Sequence, residues 1–145
     1  MIAEPTAGPL RRILIVEDNR GDVLLVEVAL REAGLRFELI HITDGEKAVE
    51  YLHSFANESV SRSLDLVFLD LNLPKRDGWE VLEELRSVAM EHPVPVVILS
   101  SSSAPSDMAR AEQLGVSKYI RKPSTLDEFL AIGQSIKQLW PSSGQ

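Results

Sequence analysis

Short apolar runs alternate along the chain with longer stretches whose apolar residues recur every three or four positions. Ile13-Leu14-Ile15-Val16, Leu66-Val67-Phe68-Leu69 and Val96-Val97-Ile98-Leu99 are apolar without a break. A strand that is apolar on both faces belongs inside a parallel sheet covered by helices on each side. Phe37 to Ile42 and Ser117 to Arg121 are more mixed runs that complete a set of five strands. Between them the pattern predicts helices over 20–33, 45–54, 78–90, 106–114 and 125–139. The last carries an apolar stripe of Leu126, Phe129, Leu130, Ile136 and Leu139, the face expected to pack on the core.

The boundaries carry their own chemistry. Asp77 with Glu80, Thr43 with Glu46, and Thr125 with Glu128 are spaced as capping boxes, in which two side chains satisfy the orphan N–H groups of a helix start. Gly34 and Gly115 fall where a helix should stop. The polar stretch Ser54 to Ser63 reads as a surface loop between the second helix and third strand. Strands and helices in strict alternation predict an α/β, doubly wound (βα)5 domain.

Composition narrows the options. A chain of 145 residues fits one domain, expected over 12–140, with a flexible extension at 1–11 and a tail at 141–145. The net charge of −7 disfavours a DNA-binding or anionic-membrane surface, either of which needs a basic patch. The absence of cysteine excludes a disulfide framework, a thiolate nucleophile and a cysteine metal site, and it fits a reducing cytoplasm. Met1 to Leu10 holds Glu4, Pro5 and Pro9 and has no apolar core of a signal peptide. No apolar run approaches the ~20 residues that cross a bilayer.

Candidate chemistry sits at the strand ends. Ile13–Val16 runs into Glu17-Asp18, Leu66–Leu69 into Asp70, Val96–Leu99 into Ser100, and Tyr119-Ile120-Arg121 into Lys122. In an open parallel sheet the carboxyl ends of the strands line one crevice, where ligands bind. Three carboxylates there repel one another unless a cation joins them, and a hard divalent ion with oxygen ligands does so. With Mg²⁺ in place Asp70 becomes a carboxylate nucleophile, Lys122 a positive charge for phosphoryl oxygens, and Ser100 a neutral donor. Each residue alone has an ordinary reading as a cap, a solvated pair or a turn. Their joint placement at four strand ends is what argues for a site.

Competing motifs fail. An EF-hand loop beginning at Asp70 would put Pro74 at its fifth ligand position and Gly78 too late for its turn. A haloacid-dehalogenase-type phosphatase wants a second aspartate two residues on, where Asn72 stands. Ser100 to Ser103 lack a Gly-x-Ser-x-Gly elbow, and no P-loop or Rossmann fingerprint is present. His41, His53 and His92 share no metal-ligand spacing and read as packing or surface residues.

Taken together, Val16-Glu17-Asp18-Asn19, Phe68-Leu69-Asp70-Leu71-Asn72-Leu73-Pro74, Asp77-Gly78, Ile98-Leu99-Ser100 and Lys122-Pro123 resemble the receiver domain of two-component response regulators. The resemblance runs from about Arg12 to Leu139. It implies a flavodoxin-like fold with a five-stranded parallel sheet of order 2-1-3-4-5. It implies Asp70 as phosphoacceptor for a histidine kinase. Asp18, Asp70 and the backbone carbonyl of Asn72 become Mg²⁺ ligands, and Glu17 reaches the metal through water. Ser100 and Lys122 would contact the phosphoryl group, and Ser100 with Tyr119 would form a switch. A cis Lys122-Pro123 bond is also implied. Such a protein catalyses only its own phosphorylation and dephosphorylation.

Within the family, Glu17-Asp18-Asn19-Arg20-Gly21-Asp22-Val23-Leu24-Leu25 and the long loop after the second helix resemble regulators paired with phytochrome-type histidine kinases. Two positions depart from the family pattern. Ser100 stands where threonine is commoner, and Ser101 where alanine or glycine is usual; both bear on the lifetime of the phosphate. A pseudo-receiver usually lacks one of the acids or the lysine, and this chain keeps them all. After Leu139 only six residues remain, so output is expected through protein contact or onward phosphotransfer. The expected output surface is the fourth helix, fifth strand and fifth helix, with a homodimer as one form and Trp140 at the contact. Trp79 is expected to pack in the first turn of the third helix.

Overall fold

A computed structural model describes residues 8–54, 64–87 and 94–140. The strands are β1 (Arg11–Val16), β2 (Phe37–Ile42), β3 (Leu66–Leu69), β4 (Val96–Ser100) and β5 (Lys118–Arg121). The helices between and after them are α1 (Arg20–Glu32), α2 (Gly45–His53), α3 (Gly78–Ser87), α4 (Pro105–Gln113) and α5 (Leu126–Lys137). All four strand pairs are parallel, as the apolar runs predict, and the sheet order is β2-β1-β3-β4-β5, as the resemblance implies.

The unbroken apolar runs explain the layering. Successive side chains of a strand point to opposite faces, so each run serves two cores. Leu14, Val16, Val67, Leu69, Val96 and Ile98 join the core under α2 and α3, which takes only Ala111 from α4. Ile13, Ile15, Leu66, Phe68, Val97 and Leu99 join the core under α1 and α5. Both strands and helices therefore hold the register that sends every strand's carboxyl end to one edge.

Helix ends follow the capping logic with one correction. Asn19 caps α1 through Asp22 N–H at 3.1 Å, and Thr125 caps α5 through Glu128 N–H at 3.2 Å. Asp77 and Glu80 form the expected box, with N–H to carboxylate distances of 3.3 and 3.0 Å. At α2, however, Asp44 and not Thr43 is the cap, its carboxylate accepting from Lys47 N–H at 2.8 Å. The helix still begins at Gly45, as predicted, and Gly45 lies against the Arg76 backbone, where a Cβ would stand 1.9 Å from the carbonyl oxygen. A charged carboxylate also makes a stronger cap bond than a hydroxyl. Gly34 and Gly115 end α1 and α4 with φ of 80° and 74°, the left-handed region that glycine enters without cost.

Smaller differences concern edges. Arg11 belongs to β1 rather than to the extension, its N–H bonding Arg36 O at 2.9 Å. Pro105 opens α4 at its first turn, where its missing N–H would be unpaired anyway. Leu126 leaves the predicted stripe: it is 57% exposed at the start of α5, while Phe129, Ile132 and Ile136 are buried. Its place in the first turn sets it before the helix reaches the core. Trp79 is buried as expected, beneath the Arg110 guanidinium at 4.5 Å from the ring centroid. Trp140 packs partly against the α1/α5 core under Arg11, 4.4 Å away. Residues 55–63 of the predicted loop, 88–90 of the predicted third helix, His92 and the tail lie outside the described residues.

Candidate functional site

The site is built at the ends of β1, β3, β4 and β5. Each strand delivers its last apolar residue to the core and its next residue to the crevice, so Glu17, Asp70 and Ser100 are buried although polar. Among the described residues, ligand oxygens of Glu17, Asp18 and Asp70 all lie within 4.8 Å of one another, with Asp18 exposed. A donor set made only of carboxylates at that spacing suits a hard divalent cation.

Backbone geometry fixes the acids. Asp70 N–H bonds Val16 O at 3.1 Å, holding the third strand's end beside the first. Asn72 N–H donates to Asp70 Oδ1 at 3.1 Å, and Asn19 N–H donates to Glu17 Oε2 at 3.1 Å. His41 Nε2 on β2 lies 2.8 Å from Glu17 O, tying the two strand ends together. Gly78 closes the loop after β3: a Cβ there would stand 2.3 Å from the Asp70 carbonyl oxygen and 2.7 Å from Leu71 Cα. That approach lets Gly78 N–H reach Leu71 O at 2.9 Å and sets α3 directly behind Asp70.

Lys122 brings the opposing charge. Its ammonium lies 3.1 Å from Glu17 Oε1, 3.3 Å from Asp70 Oδ2 and 2.8 Å from Asp22 Oδ2. Among the described residues no peptide bond is cis, so the expected cis Lys122-Pro123 bond is trans. The lysine enters the crevice without it because Lys122 N–H is held to Ser100 O at 2.7 Å, carrying the β4–β5 pairing to the crevice edge.

Electrostatics follow from that crowding. Burial raises the Glu17 carboxyl from its ordinary 4.5 to about 7, reinforced by the Asp70 charge and opposed by bonds from Asn19 and Lys122. Burial lowers the Lys122 ammonium, but bonds to Asp22 and Glu17 and the charges of Glu17 and Asp70 outweigh it and hold it above its ordinary range. Burial thus acts on the two groups in opposite senses, and the surrounding acids push both upward.

Ser100 Oγ is fully buried and accepts from Ser102 N–H at 3.2 Å. Tyr119 is half-buried on β5, and its hydroxyl donates to Ser102 O at 2.9 Å. Ser102 Oγ donates in turn to Asp107 Oδ2 at 2.7 Å, in the first turn of α4. One backbone residue thus joins Ser100, Tyr119 and α4. Ser101 is exposed.

The crevice therefore brings together Glu17, Asp18, Asp70 and Lys122, while Ser100 is buried at the end of β4, Asn72 meets Asp70 through its backbone N–H, and Tyr119 reaches Ser102. The structure adds two that the sequence reading missed. Asp22 had a signal only as an acid in a first helical turn, where its ordinary role is to face the helix dipole. Ser102 looked like one more serine in a strand-end loop.

Such a fold, with acids and a lysine at the carboxyl edge of a parallel sheet, defines a phosphoacceptor-type α/β domain. A family model for the response regulator receiver domain matches residues 13–133, and the chain belongs to that family. It is 34% identical over 134 residues to response regulator Rcp1 of Synechocystis sp., covering 92% of this chain and 91% of that one. The structure of the phosphorylated cyanobacterial phytochrome response regulator RcpA is similar at a TM-score of 0.77 and 35% identity, over 94% of this chain and 98% of that one. The Mn²⁺-bound form of Rcp1 is similar at a TM-score of 0.72 and 32% identity, over 93% and 97%.

Proposed function

We propose that Asp70 accepts a phosphoryl group from the phosphohistidine of a histidine kinase and that the modified crevice switches a protein-interaction surface or relays the phosphate. The observation that carries this reading is Lys122 Nζ set 3.3 Å from Asp70 Oδ2 beside a cluster of three carboxylates. An Asp70 oxygen attacks phosphorus, the phosphorus–nitrogen bond breaks, and the pair of electrons leaves on the imidazole. Asp18, Asp70 and the Asn72 carbonyl would hold Mg²⁺, with Glu17 reaching it through water. The ion supplies charge neutralisation for the acids and the incoming phosphoryl oxygens. Lys122 and Ser100 donate to those oxygens. As the Ser100 hydroxyl turns toward them it leaves Ser102 N–H, and the Tyr119 ring moves into the space.

The chain's own chemistry is confined to taking up and losing this phosphate, which makes it a signalling switch rather than a turnover enzyme. Likeness to phytochrome response regulators supports a phytochrome-type kinase as the donor. The receiver spans 11–140, works in the cytoplasm and pairs as a homodimer, with a phosphotransfer protein as a second partner. Among the described residues no helix is long and apolar enough to cross a membrane.

The test is intact-mass measurement after incubation with acetyl phosphate, with and without Mg²⁺, alongside Asp70→Asn. One added phosphoryl mass, dependent on Mg²⁺ and absent in Asp70→Asn, is expected. No adduct, together with failure to bind beryllofluoride, would make the domain a pseudo-receiver. Sedimentation of parent and Trp140→Ala tests the dimer contact.

A further inference from the structure

The Lys122 ammonium has three N–H donors and cannot accept. In the crevice it faces three carboxylates, and the shortest of its contacts is to Asp22 Oδ2 at 2.8 Å, against 3.1 Å to Glu17 and 3.3 Å to Asp70. Asp22 differs from the other two in what it is free to do. Glu17 and Asp70 belong to the oxygen cluster that suits a cation, whereas Asp22 is not among the three residues that meet there. Asp22 also comes from a different element. Its own N–H is held by the Asn19 cap at 3.1 Å, which fixes it in the first turn of α1, and its side chain is only 18% exposed.

We propose that Asp22 is a positioning residue for phosphoryl transfer: it tethers the Lys122 ammonium beside Asp70 when the Glu17 and Asp70 oxygens turn to other partners. This rests on the reading of Asp70 as phosphoacceptor. A lysine side chain has four rotatable carbons and loses rotamer freedom when it is fixed. Fixing it in advance, on a partner that the reaction does not consume, leaves that ordering cost outside the transfer step. A partly buried charge-assisted bond at 2.8 Å is short enough to do so. The tether also has direction. It ties the first residue of the β5–α5 loop to the start of α1, so both segments that flank the crevice mouth hold the ammonium in place.

The experiment measures the rate of phosphorylation by acetyl phosphate at saturating Mg²⁺ for the parent, Asp22→Asn, Asp22→Glu, Lys122→Ala and Lys122→Ala/Asp22→Asn. Thermal midpoints are recorded for each, and Asp70→Asn marks the background. We expect Asp22→Asn to slow the reaction five- to tenfold with an unchanged midpoint, Asp22→Glu to recover most of the rate, and the Asn substitution to change nothing further once Lys122 is alanine. The two ε-protons of Lys122, observed by NMR at saturating Mg²⁺, should be inequivalent in the parent and Asp22→Glu and merge in Asp22→Asn. Parent rate or faster in Asp22→Asn, or equal slowing in the Lys122→Ala background, would overturn the tether. If the parent itself gains no phosphate above Asp70→Asn, the phosphoacceptor reading fails instead, and merged ε-protons in the parent overturn the tether separately.

Discussion

On one side of the sheet α1 and α5 lie so close that a Cβ at Gly133 would stand 2.1 Å from Ala29 O. Lys137 Nζ closes the far end of that pair on Ala33 O at 3.2 Å. On the other side α4 buries only Ala111 among its nine residues, has no side-chain cap, and leaves Met108 46% exposed. Its first turn is fastened instead to the crevice, through Asp107, Ser102 and the hydroxyl of Tyr119. A helix held by a large apolar face must stay where it is. A helix held by a few polar bonds can change place when those bonds change. The chain thus separates a fixed wall, which carries Asp22, from a movable one that shares Ser102 with Ser100.

Four substitutions or conditions probe that contrast. The largest effect is expected at Gly133→Ala, where the Cβ meets backbone on the fixed wall; a loss of about 2 kcal/mol after allowing for helix propensity should appear in urea unfolding. Next comes the titration of Glu17, which sits between the walls. Its raised pKa means the folded state holds the proton more tightly than the unfolded chain. Its contribution to metal-free stability is therefore present below 4.5 and lost as pH rises through about 7. Binding of Mg²⁺ requires the opposite charge state, so affinity measured by calorimetry should fall about 25-fold between pH 7.5 and 5.5. Glu17→Gln should flatten both curves; a parent already flat would contradict the burial argument.

On the movable wall the effects shrink. Tyr119→Phe removes the bond to Ser102 O and should cost about 1 kcal/mol, with faster amide exchange in α4 but not in α1 or α5. Met108→Ala should change stability by less than about 0.5 kcal/mol, because the side chain is not part of either core. A loss at Met108 as large as that at Gly133 would mean that the two walls are fastened alike.

Much of this architecture was legible before any coordinates. The unbroken runs at 13–16, 66–69 and 96–99 could satisfy both cores only inside a covered parallel sheet, and that alone placed Glu17, Asp70 and Ser100 at one edge. What escaped was set by tertiary contact. Thr43 and Asp44 are both able caps, and the choice fell to Asp44 because Gly45 abuts Arg76 from a distant loop. Asp22 has no local mark beyond its helical turn, and only the path of β5 brings Lys122 to it. The isomer of Lys122-Pro123 and the exposure of Leu126 depend on loop paths that residue types do not encode. Arg86 is similar: its guanidinium donates to Val94 O, Leu114 O and Gly115 O, binding the end of α3 to the turn after α4, where a sequence shows only a surface cation.

The contacts of Lys122 span most of the chain, reaching back 105 residues to Glu17 and 52 to Asp70. Such pairings close the longest loops and come late when a parallel sheet assembles. Competence to take a phosphoryl group is therefore a clock for folding. It should return only with the last strand, and a truncated or stalled chain with half its helices formed would stay silent to its kinase.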